Sequence, residues 1–215
     1  MRMLSFQISK GVSPNLAIAL EALDLEELKT EIIRKMIHFL IALCPGMAAI
    51  NRPLTVIILM AGTLLYTYME VLRLVGVEVP LISALTNMAS RSRDKGGFVL
   101  GPVTLGMGAL LALLLYPSPA ASIAIYALAF GDGLAGLVGK LFGRIRPALL
   151  CGKSIEGSTA CFLAVLFSAY QISGSYFTAL IAAVTATLVE ALPLDDYDNL
   201  ALPLIAGLAV QLSAF

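Results

Sequence analysis

The chain has 215 residues, of which 59% are hydrophobic and 13% charged, with no net charge at neutral pH and a mean hydropathy of +0.92. An ordinary soluble domain is about a quarter charged, so the composition excludes that class and indicates an all-α, polytopic integral membrane protein. No basic tail follows Lys153, which argues against nucleic acid as a partner. Cys44, Cys151 and Cys161 form no CxxC pair and read as small packing residues.

Residues 1–13 read as a polar leader without a cleavable signal pattern. From Pro14 to Thr30, the apolar Leu16, Ala19, Leu20, Leu23 and Leu28 are interleaved with Glu21, Asp24, Glu26, Glu27 and Lys29. That is the pattern of an amphipathic helix lying on the membrane surface or against a partner. Residues 1–30 are therefore set apart from a membrane-embedded unit, residues 31–215. Hydropathy predicts about seven spans: Met36–Ile50, Leu54–Leu74, Gly97–Tyr116, Ala120–Gly139, Ser158–Ile172, Tyr176–Leu194 and Asn199–Phe215. Several are shorter than the roughly 20 residues of a perpendicular span. Pro45-Gly46 is expected to kink the first and Pro203 the last.

The basic residues alternate from loop to loop. Arg2, Lys10, Lys29, Arg34 and Lys35 precede the first span, and only Arg52 follows it. Arg73, Arg91, Arg93 and Lys95 sit between the second and third spans, and Lys140, Arg144, Arg146 and Lys153 between the fourth and fifth. The YPSPA loop and the fifth-to-sixth loop carry none. The positive-inside rule then places the N-terminus in the cytoplasm, with a prokaryotic plasma membrane as the expected setting. The purely acidic LPLDDYDN loop falls on the same side as the basic ones.

The polar residues gather in clusters, all expected on that one face. Glu31, Arg34, Lys35 and His38 share a helical face where the chain enters the membrane. They read either as snorkelling anchors or as part of a site, and His38 as either a packed group or an acid–base catalyst. Glu70 and Arg73 have ion-pair spacing, though a Glu at a span edge also suits a metal or a substrate hydroxyl. Arg91-Ser-Arg-Asp-Lys-Gly-Gly is either a flexible basic loop or an anion-holding turn.

Asp132 stands inside an apolar run among Gly131, Gly133, Gly136 and Gly139. The glycines suit close helix packing, but a buried acid in a span marks a site. In Gly152-Lys153-Ser154-Ile155-Glu156-Gly157-Ser158 the base and hydroxyls suit phosphate and Glu156 a divalent ion; the Walker A pattern fails because residue 147 is Pro. Glu190, Asp195, Asp196, Asp198 and Asn199 offer hard oxygen ligands suited to Mg²⁺, or a solvated loop that caps the last helix.

Four of these elements, in order, resemble the CTP-dependent lipid kinases, the family of dolichol, phytol and farnesol kinases and the eukaryotic-type diacylglycerol kinase. They are E-x-x-R-K-x-x-H at Glu31–His38, GD-x-x-A-x-x-x-G-x-x-x-G at Gly131–Gly143, K-S-x-E-G-S at Lys153–Ser158 and D-N-x-x-x-P at Asp198–Pro203. Lys140 stands where the family pattern leads us to expect Arg, and the chain is far shorter than a dolichol kinase, which favours a phytol- or diacylglycerol-type acceptor. The resemblance implies transfer of the γ-phosphoryl of CTP to a lipid hydroxyl at the cytoplasmic face. It implies Mg²⁺ on Asp132, Glu156, Asp195, Asp196, Asp198 and Asn199. It implies nucleotide contacts from Arg34, Lys35, Lys140, Arg144, Gly152, Lys153, Ser154 and Gly157, and a base among Asp132, Glu70 and His38. A phosphatidate-type cytidylyltransferase shares the GD and K-[ST]-x-E-G elements and would release pyrophosphate. A transporter with an intramembrane acid is a third class, but it would need polar residues toward both faces.

Overall fold

The computed structural model describes residues 14–77, 86 and 96–213, and these are all-α. The leader, residues 1–13, and the basic Arg91–Lys95 loop lie outside the described residues. The first helix, α1 (Pro14–Ile41), runs through Thr30 without a break, so the expected surface helix and the start of the first span are one element. It stops where Pro45 has no N–H for the carbonyl of Ile41. The chain tightens there into two short turns, with Ala42 N–H donating to the Phe39 carbonyl and Leu43 N–H to that of Leu40. The expected first span, Met36–Ile50, is therefore broken at Ala42-Leu43.

The next helix, α2 (Cys44–Leu74), contains one non-helical residue, Asn51, at φ −152° and ψ 93°. The Asn51 side-chain oxygen accepts the Leu54 N–H at 3.0 Å. This is N-cap chemistry, and it tolerates Pro53 in the first turn that follows. What reads as a loop between two spans is thus a cap inside one continuous element.

Next come α3 (Gly101–Leu115) and α4 (Ala120–Tyr126), a π-helical segment (Ala127–Asp132) and α5 (Gly133–Phe142). A short 3₁₀ turn (Ala148–Leu150) precedes α6 (Ile155–Ser173), which is followed by α7 (Tyr176–Glu190), a second 3₁₀ turn (Asp195–Tyr197) and α8 (Asp198–Ser213). Among the described residues, three stretches are long and apolar enough to cross a membrane: Cys44–Leu74, Ala120–Phe142 and Ile155–Ser173. That marks a membrane protein. Gly101–Leu115 and Tyr176–Glu190 are apolar but shorter.

The run Ala120–Phe142 is the axis of the bundle, packed by α1, α3, α6, α7 and α8. Its core neighbours are small: Ala109 and Ala112 of α3, Ala182 and Ala186 of α7 and Ala206 of α8 are fully buried, which lets helices approach closely. Contacts between α1 and α5 descend along one as they rise along the other. A Cβ at Gly133 would meet Phe39 and one at Gly136 would meet Lys35, while Lys140 pairs with Glu27. The two helices are therefore antiparallel.

Pro203 lacks the N–H that would bond the Asn199 carbonyl. Gly108 of α3 sits against that carbonyl, so closely that a Cβ would lie 2.0 Å from it. The proline thus leaves a carbonyl open where α3 crosses α8.

The polar clusters converge on one end of this bundle. Asn199 Nδ2 donates to the Gly101 carbonyl (3.4 Å) and to Thr104 Oγ1 (3.0 Å), its Oδ1 faces His38 Nε2 (2.9 Å), and the Glu70 carboxylate accepts the Val99 N–H (2.8 Å). At the other end Arg52 donates to the carbonyls of Leu113 and Tyr116, capping α3.

Candidate functional site

Asp132 is the last residue of the π-helical segment. A π turn inserts one extra residue into a helix and often marks a functional site. Here it follows a stacked pair, Tyr126 and Phe130, with Phe39 of α1 beside Phe130. Lys35 Nζ donates to Asp132 Oδ2 at 2.6 Å and His38 Nε2 stands 3.0 Å from the same oxygen. All three side chains are buried. A buried ion pair is costly to desolvate unless further hydrogen bonds support it; here α1 supplies two cationic or donor groups to one oxygen. The glycine at 136 makes the Lys35 contact possible, because a Cβ there would lie 2.4 Å from Lys35 Cε.

Above this pair opens a cavity of about 300 Å³. One wall is the glycine face of α5, Gly136 and Gly139. Ser154 of the connecting loop and Gly157 of α6 pack against Gly139, and Gly152, Lys153 and Glu190 at the end of α7 also line the space. Ser154 caps α6 by accepting the Gly157 N–H at 3.1 Å. The loop turns back through two left-handed residues, Cys151 (φ 48°) and Gly152 (φ 92°), the second a conformation that glycine adopts without strain. Arg146 ties the loop to the end of α5 by donating to the Gly139 carbonyl (2.8 Å) and to that of Gly152. Lys153 Nζ lies 3.2 Å from Glu190 Oε1 and also reaches the Glu190 carbonyl.

Five bases line the cavity, Arg34, Lys35, Lys140, Arg146 and Lys153, against four carboxylates, Glu31, Asp132, Glu190 and Asp198. Burial, and then the charge of Asp132, push the carboxyl of Asp198, the first residue of α8, up to about 7. A cation placed between these acids would relieve that repulsion. Among the described residues no three His, Cys, Asp or Glu groups stand close enough to hold an ion by themselves. Mg²⁺ commonly takes only one or two carboxylates and completes its shell with phosphate and water. Asp132 and Asp198, whose charges act on one another, fit that use and do not fit a closed protein cage.

The chain is 30% identical over 152 residues to a probable phytol kinase, chloroplastic, of Triticum aestivum, a match covering 61% of this chain and 49% of the relative. It is 31% identical over 156 residues to probable phytol kinase 2, chloroplastic, of Oryza sativa subsp. japonica, covering 65% and 51%. It is 32% identical over 137 residues to farnesol kinase, chloroplastic, of Arabidopsis thaliana, covering 56% and 45%. The chain resembles the phytol and farnesol kinases. It spans about half the length of these relatives. No family model and no solved structure matches it. The relatives are chloroplastic by name, so they lend no support to a prokaryotic plasma membrane.

Of the residues singled out in the sequence, the cavity brings together Arg34, Lys35, Asp132, Lys140, Gly152, Lys153, Ser154, Gly157 and Asp198. His38, Asp196 and Asn199 line a separate, narrower cleft beside it. The amide of Asn199 is already committed to His38, Thr104 and Gly101.

Four candidates stand elsewhere. Glu70, fully buried, is gripped by Arg73 through both carboxylate oxygens at 2.7–2.8 Å and by the Val99 N–H. Glu156 turns from the cavity and accepts the N–H groups of Arg144 (2.9 Å) and Ile145 (3.2 Å), closing the loop. The Arg144 side chain is exposed, and Asp195 serves a left-handed turn at φ 54°.

The cavity also holds Arg146, which had no nucleotide role from sequence, and Glu190, which was weighed there as a metal ligand. Arg146 was counted only as a loop charge, and its anchoring bonds depend on the loop's fold. Glu190 stood in the acidic cluster, but its pairing with Lys153 spans 37 residues.

Proposed function

We infer that this protein is a membrane-embedded kinase that moves the γ-phosphoryl of CTP to the hydroxyl of a prenyl alcohol of the phytol or farnesol type. The observation that carries this reading is the basic cavity built on the buried Asp132–Lys35 pair. Similarity to kinases of two prenyl alcohols supports the acceptor class. Phosphoryl transfer asks a protein mainly for positioning and for charges around the phosphates. The cavity supplies such charges in Arg34, Lys35, Arg146 and Lys153.

In the transfer, the lipid hydroxyl oxygen bonds to the γ-phosphorus. The bond from that phosphorus to the β,γ-bridging oxygen breaks, CDP leaves with the electron pair, and the hydroxyl proton passes to a carboxylate, a role we assign to Asp132. Lys153 and Arg146 meet phosphate oxygens from the loop side and Arg34 from α1. Lys35 and His38 hold Asp132 in orientation. Asp132 and Asp198 are the residues that would hold Mg²⁺, whose chemistry is to neutralise the triphosphate. The choice of cytidine rests on the sequence resemblance alone.

The test is purified protein in lipid nanodiscs with γ-labelled CTP or ATP and a panel of phytol, farnesol, geranylgeraniol and diacylglycerol. Label in a prenyl phosphate is the expected result. Pyrophosphate release with cytidine entering lipid would mean a cytidylyltransferase instead.

A further inference from the structure

Beside the basic cavity a narrower cleft of about 20 Å³ separates α1 from the starts of α3 and α8. Ile37 of α1, Val99, and Pro102 and Leu105 of α3 give it an apolar wall; His38 and Asn199 give it a polar one. Arg34 belongs to both spaces, lining the cavity and the cleft alike. Its Nη2 reaches Glu31 at 3.3 Å, while its Nη1 is buried with no partner, alone in this among buried side-chain atoms of the described residues. A buried donor left unmade is expensive, and an incoming oxygen would satisfy it.

We propose that this cleft admits only the hydroxyl end of the lipid alcohol and that the isoprenoid chain stays outside it, in the membrane. The proposal rests on the kinase reading above and names the acceptor's side of that site. Two observations carry it. Arg34 joins the two spaces, so a hydroxyl in the cleft and a phosphate in the cavity meet at one guanidinium. The cleft has the size of about one water, enough for a hydroxyl and too little for a chain of prenyl units.

The consequence is indifference to chain length. A pocket that enclosed the tail would have walls, and chains longer than it holds would be rejected steeply. A tail that remains in lipid gains nothing on binding.

The experiment presents farnesol, phytol and a long polyprenol to the full chain in nanodiscs at equal surface mole fraction. Expected kcat/KM values agree within about fivefold, little more than a single buried methylene would give. Leu105→Trp and, at a half-buried position, Ile37→Trp should each lower kcat/KM for all three alcohols by about tenfold or more, as a misplaced acceptor does. Equilibrium binding of labelled CTP to each variant, unchanged within about twofold of wild type, shows that the fold and the nucleotide side are intact. A steep chain-length cut-off overturns the proposal, as does normal turnover in both tryptophan variants with CTP still bound. A wild-type protein that phosphorylates no alcohol overturns the kinase reading, and this proposal with it.

Discussion

The axial run Ala120–Phe142 and the helix Cys44–Leu74 are equally apolar, yet 61% of the apolar window of the first is buried inside the bundle and only 11% of the second. Both satisfy the requirement for a span, because lipid and protein interior are similar solvents for an apolar side chain. What separates them is side-chain size and polarity. The axial run is built of Ala and Gly with one acid, and small residues let five neighbouring helices close on it. The peripheral α2 presents Ile57, Ile58, Leu64, Leu65 and Tyr68 outward, a bulky face suited to acyl chains. The candidate acid, Asp132, sits in the helix that other helices surround, because only there can α1 deliver Lys35 and His38 to it without lipid contact.

The comparison breaks first at Asp132. Asp132→Asn should lower kcat by about 10³-fold, the scale of losing one pre-organised charge at a reacting centre. The protein should still insert and give the wild-type elution profile in detergent. Near-normal turnover would remove Asp132 from the chemistry.

Gly108 and Gly62 test the packing half of the contrast. Gly108→Ala puts a Cβ 2.0 Å from the Asn199 carbonyl, whereas Gly62 on α2 has nothing within 4 Å. The first change should destabilise by about 1–3 kcal/mol, as overpacking does, and lower the melting temperature measurably. Glu70→Gln should cost a similar amount by loosening its grip on Arg73 and Val99, with kcat in the surviving protein near wild type. A large loss of kcat without a loss of melting temperature would return Glu70 to the list of catalytic candidates. The smallest effect is expected for Gly62→Ala, neutral or up to about 1 kcal/mol stabilising from helix propensity. Destabilisation there would mean that α2 is covered by something other than lipid.

Much of the architecture was legible in the chain. The helices at Gly101, Ala120, Ile155, Tyr176 and Asp198 begin within a few residues of the expected spans, because long apolar runs bounded by Pro, Gly and charge have few alternatives. The start of the chain was harder. Amphipathic and apolar periods run on continuously through Thr30, and the cap at Asn51 resembles a loop to any reading of hydropathy. The site was half legible: Asp132, Lys35 and Lys153 stand out because charge in an apolar setting is costly. Glu156 and Asn199 carry the same chemistry in sequence, but backbone N–H groups of the loop occupy the first and three neighbours across the bundle occupy the second.

The sequence by itself determined that the chain is helical, apolar enough for a membrane and polar at one end, since these follow from transfer free energies that each residue carries wherever it lies. Only the tertiary structure decided that Asp132 would cap a π turn, that Gly136 would make way for Lys35, and that Arg34 would stand between two spaces. Those outcomes depend on which helices touch, and contact between residues a hundred apart is a property of the packed bundle.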